Sequence, residues 1–176
     1  MRKVMIVDDE SVTRSHIRRS FPWTDWLCMI CGEAENGVKA LELFRLEQPD
    51  IVLIDLTMPE MDGFALLEKL RDETTPHSSI VLTAHRDFDF VRKAMALGAS
   101  GYILKSPIDP DSAKSAIERA SKLLDERRSN REQQDSHRYL IRNYRYSLRR
   151  KWMEDLFSGA TADEREKYIK PLLQSA

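Results

Sequence analysis

The sequence predicts an α/β fold, a doubly wound sheet of five parallel strands followed by a helical extension. Three observations carry that expectation: short apolar runs recur up to Lys105, segments of helical spacing separate them, and the composition changes after Leu124. Parallel neighbours need crossover connections, and helices on the two faces of the sheet supply them. Runs that are apolar throughout fit strands covered on both sides.

The first strand is "KVMIV", which delivers the chain to Asp8, Asp9 and Glu10. "SVTRSHIRRSF" follows as a helix, with Ser11 placed to cap it. "CMICGEA" is the second strand, and "NGVKALELFRLE" a helix capped by Asn36. "IVLI" is the third strand and leads into Asp55; "GFALLEKLRDE" is a helix capped by Asp62. "SIVLT" is the fourth strand. "DFDFVRKAMALG" carries apolar residues at helical spacing and stops at Gly98, where a left-handed residue suits a helix end. "GYILK" is the fifth strand. The fifth helix begins near Asp109-Pro110, with apolar residues at Ala113, Ala116, Ile117, Ala120, Leu123 and Leu124.

A domain is expected over residues 1–125 and a separate segment over 126–176. "DERRSNREQQDSHR", residues 125–138, has no large apolar residue and cannot line a core. Lacking Gly and Pro, it reads as a solvated helical extension, with a flexible linker as the alternative. Apolar residues then return every fourth position at Leu140, Tyr144, Leu148, Trp152 and Leu156, one face of a helix that is expected to stop near Ser158-Gly159. A last short helix is expected over 163–173.

The bulk composition of 176 residues, 41% apolar and 32% charged, describes a globular chain, and a formal net charge of −1 gives no global attraction to nucleic acid or anionic lipid. Cys28 and Cys31 form a single C-x-x-C without a second ligand pair. In an extended segment the two side chains point to opposite faces, so two free thiols are expected. The apolar run after Met1 is too short for a signal peptide, and no run reaches the roughly 18 residues of a membrane span. A cytoplasmic protein without membrane contact is the expectation.

In an open α/β sheet the carboxyl ends of the strands form the default site. Asp8 and Asp9 fall after the first strand, Asp55 after the third, Thr83 after the fourth and Lys105 after the fifth. Three crowded carboxylates repel unless a cation holds them ionised, and Mg²⁺ suits them because it uses few carboxylates and leaves room for phosphate oxygens. Lys105 and Thr83 add what is needed to hold a phosphoryl group, which makes Asp55 a candidate nucleophile.

"VMIVDDE", "DIVLIDLTMPEMDGFALLEKLR", "SIVLTAH" and "ALGASGYILKSP" resemble the receiver domain of bacterial two-component response regulators, from residue 1 to about 125. The resemblance implies a flavodoxin-like receiver fold and a signalling switch that turns over no external substrate. It makes Asp55 the phosphoacceptor, served by the phosphohistidine of a sensor histidine kinase. Asp8, Asp9, Asp55 and the backbone carbonyl of Thr57 would hold Mg²⁺, or Mn²⁺, with Asp8 acting partly through water. Thr83 and Lys105 would bind the phosphoryl oxygens, Thr83 and Tyr102 would form the switch pair, and residues 86–124 would report the change. Thr57 and Ala84 would tune the phosphoryl lifetime. The family has Pro directly after the lysine, joined by a cis peptide; here Ser106 intervenes, and the position of a cis bond is open between Lys105-Ser106 and Ser106-Pro107.

The tail "RYLIRNYRYSLRRKWMEDLFSG" mixes basic and aromatic residues, which invites a nucleic-acid reading. Packing of the apolar stripe against a partner helix is the stronger expectation, with Leu140, Tyr144, Leu148 and Trp152 as a homodimer seam. "FPWTDW", "HRDFDFVRKAMALGA" and "WMEDLFSG" resemble the subgroup whose receivers precede an AraC-type DNA-binding domain. The chain is therefore expected to be the amino-terminal part of a transcription factor, reaching DNA only through a domain outside it. A stand-alone receiver that signals through protein contacts is the alternative. A haloacid-dehalogenase-type phosphatase would need an acid where Thr57 stands, a nucleotide site would need a Gly-rich loop where "DDES" stands, and His137 has no companion for phosphotransfer.

Overall fold

The computed structural model describes residues 1–84 and 88–157, with backbone alone at 148–149 and 151–157. In chain order the elements are β1 (Arg2–Val7), α1 (Ser11–Ser20), β2 (Cys28–Ala34), α2 (Gly37–Glu47), β3 (Ile51–Asp55), α3 (Gly63–Arg71), β4 (Ser78–Thr83), α4 (Phe88–Ala96), β5 (Gly101–Leu104) and α5 (Pro110–Phe157). The strands pair in parallel in the order β2-β1-β3-β4-β5, so the chain reverses its direction of winding beside β1. The expected doubly wound five-stranded sheet is present, and the receiver-like architecture continues into a long helix.

Two apolar layers cover the sheet because successive strand residues point to opposite sides. Val4, Ile6, Ile51, Leu53, Ile80 and Leu82 face Ile17 of α1 and Ala116, Ile117 and Ala120 of α5. Met5, Val7, Val52, Ile54 and Val81 face Phe44 of α2, Leu66 and Leu70 of α3 and Ala94 of α4. All five residues of β3 are buried, and each buried aliphatic side chain contributes about 1.5–3 kcal/mol. Cys28 joins the first layer and Cys31 packs against the second; both are free thiols on opposite faces, as expected from their spacing.

The caps follow the sequence with one correction. Asn36 accepts from the Lys39 amide and Asp62 from the Ala65 amide, each closing the first turn of its helix. Ser11 does not cap α1: it lies inside the helix, and Glu10 occupies the capping position without a side-chain cap bond. The Glu10 amide donates to Asp8 Oδ1 and its carboxylate accepts from the Thr13 hydroxyl, so the entry turn is fixed one residue earlier. A second correction concerns α5, where Ala113, Ala116, Ile117, Ala120 and Leu124 are buried but Leu123 is exposed, at the edge of that stripe.

At the amino-terminal ends of the strands an ion network closes the sheet. Asp50 accepts from the Lys3 amide at 2.8 Å and from Arg128 Nη2 at 2.6 Å, and Arg2 Nη1 lies 3.6 Å away. Arg2 also pairs with Asp125. By contact density the chain divides into Met1–Ser129 and Asn130–Ala176, a division that falls within α5. Residues 125–138 are helical, and Leu140 and Tyr144 are exposed on the same helix. Leu148 and Trp152 belong to its backbone-only stretch; the expected stop at Ser158-Gly159 and the helix over 163–173 lie outside the described residues.

Candidate functional site

The parallel register of β1 with β3 pairs Val7 with Ile54, so Asp8 and Asp55 leave the sheet side by side. On the other flank, β4 pairs with β5 through Thr83 and Leu104. The Lys105 amide then donates to the Thr83 carbonyl at 2.8 Å, which holds the lysine at the same rim. Strand order and register thus gather four polar residues that are far apart in sequence, Asp8, Asp55, Thr83 and Lys105, and Asp9 follows Asp8.

Asp8 is fully buried, Asp55 and Thr83 are each 6% exposed, and Asp9 is exposed. One carboxylate oxygen from each of Asp8, Asp9 and Asp55 lies within 4.8 Å of the others. Lys105 Nζ bridges two of them, 2.7 Å from Asp8 Oδ2 and 3.0 Å from Asp55 Oδ1. Apart from that ion pair, the buried Asp8 Oδ2 has no hydrogen-bond donor among the described residues. Among the described residues, two of the three acids therefore share one ammonium, and Asp9 stands beside them without an ion pair to it.

Burial pushes the Asp55 carboxyl above the ordinary carboxylate range, and the Asp8 charge adds to this; the Lys105 ammonium and the Thr57 amide oppose it without cancelling it. Burial would lower the Lys105 ammonium, but its bonds to Asp8 and Asp55 prevail and hold it above its usual value. The lysine is firmly charged, whereas Asp55 lacks enough positive charge to ionise at its ordinary value. A divalent cation with oxygen ligands fits such a donor set, since it would answer the surplus of negative charge.

Asp55 opens into a cleft of roughly 480 Å³ lined also by Asp9, Thr57, Thr83, Ala84, Phe90 and Lys105. The cleft faces solvent, so a small molecule can reach the Asp55 oxygens. Its floor depends on Gly63, because a Cβ there would lie 2.2 Å from the Asp55 carbonyl oxygen. The Gly63 amide donates to the Leu56 carbonyl, folding the loop back onto the end of β3. Tyr102 lies on β5, is exposed and does not line the cleft. The peptide that the sequence leaves open is cis between Ser106 and Pro107.

Gly63, Phe90 and Arg14 were not singled out by sequence as part of this region. Gly63 had a signal in the Asp-Gly pair that opens a helix soon after Asp55; Phe90 had none, because its contact with the cleft depends on the placement of α4. Arg14 Nη1 donates to the Asp8 carbonyl at 2.6 Å, and that contact depends on how α1 turns back over β1.

Residues 4–118 match the model of the response regulator receiver domain. The chain belongs to that family. This receiver is 37% identical over 117 residues to the DNA-binding transcriptional regulator NtrC of Escherichia coli K12, covering 66% of this chain and 24% of that protein. It is 39% identical over 103 residues to an uncharacterized transcriptional regulatory protein of Bacillus subtilis, YhcZ, covering 58% of this chain and 48% of the relative. An uncharacterized response regulatory protein of Staphylococcus epidermidis is 34% identical over 109 residues, 62% of this chain and 42% of its own. The matched region thus spans less than half of these curated relatives.

Among solved structures, the receiver domain of AraT, a response regulator from Geobacillus stearothermophilus, is similar with a TM-score of 0.63 and 35% identity, over 72% of this chain and 98% of that one. The receiver domain of the response regulator NarL from Mycobacterium tuberculosis gives a TM-score of 0.63 at 29% identity, over 69% of this chain and 96% of its own. No helix among the described residues is long and apolar enough to cross a membrane.

Proposed function

We propose that this receiver takes a phosphoryl group onto Asp55 from the phosphohistidine of a sensor histidine kinase and uses it to switch an output. The supporting observation is the convergence of Asp8, Asp9 and Asp55 within 4.8 Å, with Lys105 3.0 Å from Asp55 Oδ1. An Asp55 oxygen attacks phosphorus, the phosphorus–nitrogen bond of the donor breaks, and the imidazole leaves with its electron pair. Lys105 balances charge on the phosphoryl oxygens and Thr83 offers them its hydroxyl. Asp8, Asp9, Asp55 and the Thr57 carbonyl would hold Mg²⁺ or Mn²⁺, which when bound supplies Lewis-acid neutralisation of the transferring oxygens. A solved relative from Borrelia burgdorferi, 26% identical with a TM-score of 0.60, is described as a CheX-CheY-BeF3-Mg²⁺ complex, which supports this metal assignment.

The phosphorylated state is favoured when Thr83 and Lys105 close on the new charge of about −2. Tyr102, 45% exposed, is the side chain assigned to follow Thr83 inward. The output is transcription, through a DNA-binding domain outside this chain, in the cytoplasm. The names of the relatives support it: NtrC is a DNA-binding transcriptional regulator and YhcZ a transcriptional regulatory protein. The helix beyond the receiver joins two copies along Leu140, Tyr144, Leu148 and Trp152. Exposure of Tyr139, Leu140, Ile141, Tyr144 and Tyr146 within a short stretch supports such a seam.

Acetyl phosphate with Mg²⁺ tests the central claim by intact-mass spectrometry. The parent chain gains one phosphoryl group, and Asp55→Asn gains none. Labelling that persists in Asp55→Asn, or a parent that never takes the group, overturns the proposal.

A further inference from the structure

We infer that Arg14 is a positioning residue for the acidic pocket, holding the Asp8-Asp9 main chain in the turn that aims both carboxylates at Asp55. The inference rests on the phosphoryl-accepting reading of that pocket and assigns a device that keeps it assembled.

In extended backbone Asp8 and Asp9 would point to opposite faces, yet their oxygens converge with Asp55. The chain must therefore turn as it leaves β1, against the mutual repulsion of three carboxylates. Arg14 sits one turn into α1 and reaches back over that corner. Its Nη1 donates to the Asp8 carbonyl at 2.6 Å and approaches the Asp9 carbonyl at 3.4 Å. Its Nε lies 3.2 Å from Glu33 Oε2, and Glu33 Oε1 is held in turn by Arg18 Nε at 2.6 Å. Glu33 is on β2, directly beside Ile6 of β1.

The result is a brace that runs from Arg18 to Glu33, to Arg14 and to the two carbonyls. Only a rigid guanidinium fork serves it, since one edge must bind a carboxylate while another reaches the main chain. The Arg14 side chain is 14% exposed, so solvent screens the contact little. The guanidinium also brings positive charge to the acidic corner without entering the cleft, as Arg14 does not line it.

Calorimetric titration of the unphosphorylated chain with Mn²⁺ provides a test independent of phosphorylation, read beside the urea midpoint of each variant. Arg14→Gln should weaken Mn²⁺ binding about tenfold, the lower end of what loss of a supporting partner costs a metal site. Glu33→Gln, which keeps the guanidinium but loosens it, should weaken binding by a smaller factor, and Arg14→Lys should fall between Arg14→Gln and the parent. In acetyl phosphate assays the change should fall mainly on the Mg²⁺ concentration that gives half-maximal rate.

If Arg14→Gln and Glu33→Gln lower the urea midpoint but leave the Mn²⁺ dissociation constant at the parent value, Arg14 is a fold residue and the inference fails. If Arg14→Gln does not fold, Glu33→Gln decides by the same criterion. A parent chain that binds no Mn²⁺ defeats the reading of the pocket itself, a result distinct from equal binding by parent and variants.

Discussion

The two ends of the sheet solve the same problem in opposite ways. At the amino-terminal rim Asp50 meets Arg128 at 2.6 Å, Arg2 at 3.6 Å and the Lys3 amide at 2.8 Å, so more donors than acids are present. At the carboxyl-terminal rim three acids converge while Lys105 pairs with two of them, Asp8 and Asp55, and among the described residues Asp8 Oδ2 has no donor besides that ammonium. Both rims draw on β1 and β3, with Arg128 of α5 completing the first and the ends of β4 and β5 the second, and β3 has an aspartate at each end. The difference is the supply of fixed cations. A saturated rim can only hold the structure together, whereas an undersupplied one is ready to take a cation from outside.

Substitution at the two ends of β3 should sharpen that contrast. Asp50→Ala leaves Arg128 and Arg2 without their partner and should cost about 2–3 kcal/mol, below the usual figure for a broken buried pair because Arg128 is partly exposed. Asp55→Asn should act in the opposite direction, stabilising the metal-free fold by about 1 kcal/mol through relief of a carboxylate poorly paired in a buried site. The sign follows from linkage. The Asp55 carboxyl is raised in the fold, so its favourable contribution is complete only when it is protonated at low pH and is lost as pH rises through the folded value. At neutral pH it is a penalty, and the amide removes it. Equal signs for the two variants in urea unfolding would break the contrast.

Divalent cations should discriminate in the same manner. Mg²⁺ at ten times its dissociation constant should stabilise the parent by about 1.4 kcal/mol, and thermal unfolding should show little of that gain in Asp55→Asn. A smaller effect should appear below the sheet, at His77. Burial lowers its imidazole below the usual histidine value, and it packs edge-on against Phe44 at 4.8 Å. A buried neutral imidazole costs nothing above its ordinary pKa, near 6.5, and penalises the fold as pH drops below it towards the lowered native value. The urea midpoint should therefore fall between pH 7 and pH 5, and His77→Gln should flatten part of that decline.

Continuous apolar runs fixed the strands and alternation fixed the parallel topology, since both express burial on two faces. The acids, Thr83 and Lys105 were legible because strand ends share one rim in such a sheet. Asn36 and Asp62 were legible as caps because the chemistry is local, while Ser11 was misread because a contact from Asp8 took over the turn. Arg14 and Phe90 were not legible: each acts through the angle at which a helix crosses the sheet, and residue spacing along one helix does not encode that angle. Leu123 shows the same limit at smaller scale, being apolar and correctly spaced yet on the outer edge of its stripe.

Lys105 has a further consequence for how this rim assembles. Because the ammonium already lies between Asp8 and Asp55, the chain ties its two buried acids together with a charge of its own. Folding of this corner therefore does not wait on a partner from outside.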